Sequence, residues 1–207
     1  MTDPGTASDG ALGGSTADRT SDGAWLVLVD AQAIFADPTS EWAAPRFAET
    51  MPHVRRLVEA FGERTVATRW VTPEDKVGSW GPYFDRWAFA DVPADDPVLD
   101  LVPEVAALPI GHVVSEPTFG KWHDRLRELT GPTPTLVLAG VATDCCVLAT
   151  ALPAADSGAT VVVAADACAG SDDANHQRAL DAMALFDPQI VIRSTEEILA
   201  DPVLRGQ

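Results

Sequence analysis

The sequence predicts a three-layer α/β/α sandwich around a central, mainly parallel six-stranded sheet. Three observations predict it. Short, wholly apolar runs recur along the chain, segments of helical spacing separate them, and several of the runs stop at a residue able to do chemistry. A strand covered by helices on both faces has no polar side to show, so it reads as an unbroken apolar run. Strands that alternate with helices imply crossover connections and hence parallel order.

The elements follow in order. Residues 1–22 are mostly Gly, Ser, Thr, Ala and Asp, with almost nothing to bury, and are expected to form a disordered acidic tail. The remainder, 23–207, is expected to be a single domain. Its first strand is the run 24–29, which ends at Asp30. Further strands are expected at 65–70, 111–115, 135–139, 160–164 and 189–192, and helices at 45–61, 121–129, 144–157 and 174–186. The stretch 71–109 has too little regular pattern to read as core. It is punctuated by Pro73, Pro82, Pro93, Pro97, Pro103 and Pro109 and carries Trp80, Tyr83, Trp87 and Phe89. It reads equally as a binding lid or as an aromatic cluster packed under a loop.

Composition narrows the function. The chain has 207 residues, 46% of them hydrophobic, enough for one good core. With 31 acidic against 14 basic residues and a net charge of −17, most of the surface repels polyanions. Nucleic acid and anionic membrane are therefore poor partners, and a small molecule is the expected one. Three cysteines, Cys145, Cys146 and Cys168, make no disulfide framework and no zinc-ribbon spacing, which fits a reducing cytoplasm. Neither a secretory leader nor a membrane-length apolar run is legible.

The chemistry concentrates in Leu136 to Cys146, LVLAGVATDCC. It reads as a buried strand stopping at Gly140, a tight turn, and a helix whose first turn carries both cysteines. A thiol under the positive end of a helix is expected to have a lowered pKa. Thr143 or Asp144 is expected to cap the helix and leave amides near Cys146 free for an anion. Cys146 is thus the candidate nucleophile, with its oxyanion hole in the turn. Asp30 is the candidate general base, and a carboxylate at the end of a buried strand needs a cation. Lys121 is that candidate, one of only two lysines in the chain. His112 and His123 carry no such signal.

These residues resemble the isochorismatase-like cysteine hydrolases, which include nicotinamidases and N-carbamoylsarcosine amidohydrolases. The resemblance covers roughly 25–192. It rests on Gly140-Val141-Ala142-Thr143-Asp144-Cys145-Cys146-Val147 as the nucleophile motif, Asp30-Ala31-Gln32-Ala33-Ile34-Phe35 after the first strand, and the strand ending in Asp166-Ala167. It implies a Rossmann-like fold and a triad of Asp30, a lysine and Cys146. It further implies a cis peptide between Val141 and Ala142, and an oxyanion hole from the amides of Ala142 and Cys146. Homodimers or homotetramers are implied too. Family members often carry the lysine at the end of the third strand, where this chain has Glu116, so Lys121 must reach back to the same point.

Nicotinamidases of the family hold a metal with an Asp-x-His cluster after the second strand. Here the segment reads Thr68-Arg69-Trp70-Val71-Thr72-Pro73-Glu74-Asp75, so no metal and no other cofactor is expected. Gln32, Phe35, Arg69, Trp70, Trp80, Tyr83, Trp87 and Trp122 are the expected substrate-binding residues, giving an apolar, partly cationic pocket. The leading reading is hydrolysis of a small amide or ureido C–N bond through a Cys146 thioester. The alternatives are an isochorismatase-type vinyl ether hydrolysis, which needs no cysteine, and a catalytically silent binding subunit of the same fold.

Overall fold

The computed structural model describes residues 23–206. Six strands form one sheet in the order β3-β2-β1-β4-β5-β6, every neighbouring pair parallel. They are β1 (Trp25–Val29), β2 (Thr65–Trp70), β3 (His112–Glu116), β4 (Thr135–Val141), β5 (Thr160–Ala169) and β6 (Ile190–Arg193). The sheet is thus wholly parallel. Strand order reverses between β1 and β4, whose pairing runs from Trp25 against Leu136 to Val29 against Gly140. A crevice at the carboxyl edge of such a switch point is where ligands of open α/β sheets bind.

The helices cover both faces. They are α1 (Ala33–Ala36), α2 (Phe47–Phe61), α3 (Trp80–Arg86), α4 (Pro103–Ala106), α5 (Asp124–Thr130), α6 (Leu148–Asp156), α7 (Asp173–Ala184), α8 (Thr195–Ala200) and α9 (Pro202–Arg205). One core face joins Leu26, Leu28 and Ala67 to α2 through Val54, Leu57 and Val58. The other joins Val27, Val29, Leu136 and Leu138 to α5, α6 and α7 through Leu126, Ala151 and Met183. The alternation of Leu26 and Leu28 against Val27 and Val29 is the two-residue period of a strand buried on both sides. Among the described residues no helix is long and apolar enough to cross a membrane.

Three expectations are corrected. The stretch 71–109 is packed: its short helices send Phe84, Ala90, Leu99, Val102 and Val105 into the core. Proline breaks the helical period there, so segments of three to seven residues escape a pattern that needs longer windows. Helix α5 begins at Asp124, so Lys121 lies in the loop before it. Lastly, β5 runs five residues beyond 164, past a register shift between Leu138 and Gly140. The tail expected at 1–22 lies outside the described residues.

Candidate active site

Three elements deliver the site to the carboxyl edge beside the β1–β4 switch point. Asp30 follows β1 with φ 48°, a left-handed conformation that non-glycine residues adopt at a cost of order 1–3 kcal/mol and that clusters at functional sites. Thr68 of β2 holds it on two sides: the Asp30 amide donates to Thr68 Oγ1 at 3.1 Å, and that hydroxyl donates to Asp30 Oδ1 at 2.7 Å. The second oxygen, Oδ2, stands 3.0 Å from Lys121 Nζ, and both side chains are 0% exposed. The contact is ionic, and among the described residues no hydrogen bond reaches Oδ2. Lys121 Nζ donates instead to the Thr118 carbonyl at 2.7 Å.

Lys121 therefore reaches the end of β1 from the loop, past Glu116. Residues 117–123 run unwound from β3 to α5, so the four-carbon stem crosses back toward Asp30. A fully buried ion pair costs several kcal/mol of desolvation per ion unless it is paired closely, and the close Asp30 contact and Thr118 carbonyl meet that cost.

The nucleophile turn completes the group. Gly140 takes φ 111°, and a Cβ there would run into the Val29 carbonyl, so only glycine lets β4 and β1 close up at this point. The Val141–Ala142 peptide bond is cis. Residues Thr143–Val147 then form a π-helical turn, with the amides of Cys145 and Val147 both donating to the Ala142 carbonyl at 3.0 and 3.1 Å. The expected caps are absent. Thr143 Oγ1 pairs with His176 Nδ1 at 2.8 Å, and the Asp144 carboxylate accepts from the amide and hydroxyl of Ser171. Both side chains brace the turn outward against β5 and α7 and leave its inner amides uncapped.

Cys146 is 3% exposed and lies within electrostatic range of Asp30 and Lys121. Its thiol is pushed well up from the ordinary value, first by its hydrogen bond with Cys145, then by burial and the Asp30 charge, with Lys121 opposing. This differs from the expectation of a lowered pKa at a helix start: here the Cys145 hydrogen bond, burial and the Asp30 carboxylate together outweigh the turn's dipole. Cys145 shares that hydrogen bond and moves the other way, its thiol lowered. Cys168 is buried, donates weakly to the Leu138 carbonyl, and has its thiol pushed up to about 12 by burial.

The residues expected to bind substrate divide into two sets. Trp80, Tyr83 and Trp87 join Phe35 in an aromatic cluster over the site, and burial with the two nearby thiols raises the Tyr83 phenol. The other four are committed elsewhere. Gln32 clamps backbone, donating to the Trp70 and Leu99 carbonyls at 2.8 and 2.6 Å and accepting from the Trp70 amide. Arg69 is bound to the Leu99 and Ala94 carbonyls and to Asp100. Trp70 is core. Trp122 packs on the opposite side of the sheet, its indole donating to Ser157 Oγ. The expected cationic character of the pocket is lost with Arg69.

Sequence reasoning missed four residues. Trp42 is the hub of the cluster, meeting Phe35, Trp70, Tyr83, Trp87 and Phe89 at centroid distances of 5.2–6.2 Å. Phe119 packs on Trp80 and Tyr83. Thr68 and Thr150 make the hydrogen bonds around the triad. Thr150 was findable: four residues after Cys146, it lies on the same helical face. Trp42 stands in a loop with no period to point it anywhere.

Among the described residues no three His, Cys, Asp or Glu side chains are grouped as metal ligands. The arrangement that is present consists of a buried carboxylate with a free lone pair, an ammonium and a neutral thiol beneath an aromatic roof.

Residues 24–197 match the family described as Isochorismatase domain, and the chain belongs to this hydrolase family. No curated protein sequence matches it. Among solved structures, a cysteine hydrolase from Pseudomonas syringae pv. phaseolicola is similar at 16% identity and TM-score 0.74, covering 88% of this chain and 93% of that one. The nicotinamidase from Bacillus subtilis is similar at 19% identity and TM-score 0.64, covering 80% and 97%. A pyrazinamidase of Pyrococcus horikoshii, in complex with zinc, is similar at 26% identity and TM-score 0.60, covering 82% and 97%.

Proposed function

We propose that the protein hydrolyses a small-molecule amide or ureido C–N bond through a thioester on Cys146, acting in the cytoplasm as a homodimer or homotetramer without a metal. The observation that carries the reading is the Asp30–Lys121 pair beside a buried, neutral thiol. A thiol held neutral needs a base at the moment of attack, and Asp30 Oδ2 is the acceptor with lone pairs to spare.

In the first half-reaction Asp30 takes the thiol proton as the sulfur bonds to the substrate carbonyl carbon. The carbonyl oxygen becomes an oxyanion, which the amides of Ala142 and Cys146 stabilise. One such donor is worth about 3 kcal/mol in other acyl-transfer enzymes. The C–N bond then breaks, and the proton on Asp30 passes to the departing nitrogen. In the second half a water gives a proton to Asp30 and its oxygen to the thioester carbon, and the sulfur leaves with that proton. Lys121 faces Asp30 Oδ2 and offsets the charge that develops on sulfur.

The experiment is Cys146→Ala, tested against a panel of small amides and ureides. Turnover is expected to vanish while the circular dichroism spectrum is retained, and the wild-type protein should show an acyl adduct on the Cys146 peptide by mass spectrometry. A fully active Cys146→Ala protein would remove the thioester route and leave the vinyl ether chemistry standing.

A further inference from the structure

We infer that Thr150 is a positioning residue: its single hydroxyl ties the loop carrying Lys121 to the turn carrying Cys146. The inference rests on the triad reading above. Thr150 is wholly buried in the first turns of α6. Its Oγ1 donates to the Cys146 carbonyl at 2.7 Å and accepts from the Lys121 amide at 3.0 Å. One oxygen thus bonds to the main chain of two proposed triad members that follow different strands, Lys121 after β3 and Cys146 after β4.

Beside it, Gly120 brings the same loop against the same helix. A Cβ at Gly120 would stand 2.6 Å from the Ala149 carbonyl, a rigid backbone atom, so residue 120 has to lack a side chain for the loop to seat. Two neighbouring contacts, 120 on 149 and 121 on 150, therefore set the height of the Lys121 loop over α6. Lys121 in turn reaches Asp30 with a stem that adds four rotatable bonds, and that reach is only as well defined as its backbone. A hydroxyl that serves only to fill a helix would bond back to its own turn and stop there. This one spends its acceptor on the lysine.

The groups that face the Cys146 thiol are Asp30 from the end of β1, Lys121 from the loop after β3, Cys145 on its own turn and Tyr83 from α3. Lys121 is the cation among them and favours the thiolate. If the clamp holds Lys121 in place, loosening it weakens that support and the thiol becomes harder to ionise.

The test reads the thiol directly and needs no substrate. Alkylation of Cys146 by iodoacetamide is followed against pH, with fragment-ion mass spectrometry separating it from Cys145. Thr150→Val, which keeps the shape and removes the hydroxyl, is expected to move the midpoint upward by about one pH unit, a tenfold loss of thiolate at fixed pH. Thr150→Ser should return it to the wild-type position. Gly120→Ala, which lifts the loop without touching Thr150, should move the midpoint the same way. With any amide the wild type turns over, kcat should fall on the order of 10- to 100-fold in Thr150→Val while KM stays put, the signature of misplaced groups.

A folded Thr150→Val with an unmoved midpoint overturns the inference, as does Thr150→Ser behaving like Thr150→Val. If Thr150→Val does not fold, Gly120→Ala decides on the same readout, and failure of both to fold makes the contact structural and overturns it too. The triad reading fails separately, through an active Cys146→Ala. An inactive Cys146→Ala with unshifted Thr150→Val sinks the clamp alone.

Discussion

Two places along the carboxyl edge of the same sheet could have been the working site, and they are built on opposite principles. At the β1–β4 switch point, Asp30, Lys121 and Cys146 are sealed from water under Tyr83 and its aromatic neighbours. Farther along, between α2, the end of β5 and α7, lies an open cavity of about 390 Å³ lined by Arg46, His53, Asp166, Cys168 and His176 among others. The cavity holds the weaker chemistry. Its ionisable groups are partly to mostly exposed, Arg46 beside Glu49 and Asp173 and His53 beside Asp166, so solvent screens them and they can do little for a reacting group. The switch point holds a pair whose interaction water cannot screen, both side chains being wholly buried. The two places differ in desolvation, which sets how strongly their charges would act on a reacting group.

The sharpest way to break that contrast is Lys121→Met, which keeps the stem and removes the ammonium. It strands the fully buried Asp30 carboxylate without its cation. Loss of one partner of a buried pair costs about 3–5 kcal/mol. Urea unfolding should register a loss of that size, and turnover should vanish in whatever fraction stays folded. A Lys121→Met protein with wild-type stability and activity would show that the pair is not shielded as its 0% exposure implies, and the two places would then differ in shape alone.

Why the sequence tells one place better than the other follows from the same physics. Strands announce themselves because both faces are apolar, and β2 falls on the six residues its run marks, Thr65–Trp70. Asp30 and Cys146 sit where such runs stop, so their positions are readable from a strand end and a glycine turn. Lys121 was legible as a rarity but not as a loop residue, since the polar and apolar order of 121–129 mimics a helix that in fact starts at Asp124. What could not be read are the long-range commitments. Arg69 looks free for an anion until Leu99 and Ala94 are seen to bind it, 30 and 25 residues away, and Gln32 looks like a ligand group until Trp70 and Leu99 take all its valences. Side chains that spend themselves on distant backbone leave no local pattern.

A smaller effect tests the cavity side. Helix α8 packs against β5 beside the cavity and opens with a capping box, Ser194 Oγ accepting from the Glu197 amide while the Glu197 carboxylate accepts from the Ser194 amide. Its start is also pinned to the cavity wall, with the amide and hydroxyl of Thr195 donating to Asp166 Oδ1. Ser194→Ala should cost about 1 kcal/mol of stability, measured by thermal unfolding, with turnover per folded molecule unchanged. Turnover that fell along with stability would mean the two places are mechanically one.

The subtlest test is a pH dependence carried by His176, the cavity residue whose Nδ1 meets Thr143 at the start of the nucleophile turn. Burial, and after it the nearby Arg46 charge, lower its pKa from 6.5. A histidine held below its unfolded value binds fewer protons folded than unfolded, so stability rises with pH across that window. Its share is complete above about 6.5, where the unfolded chain is also neutral, and is lost progressively as pH falls from there toward the folded value. His176→Gln should flatten that limb in a comparison of urea midpoints at pH 7.5 and 5.5, with a change smaller than the loss of the α8 cap because the ring is only half-buried. On the thioester reading turnover should keep its own pH profile, because Cys145, burial and Asp30 raise the Cys146 thiol and His176 does not. If His176→Gln shifted the alkylation midpoint of Cys146 as well, the brace through Thr143 would be transmitting the cavity's charge state to the nucleophile, and the boundary between the two places would lie on the other side of α7.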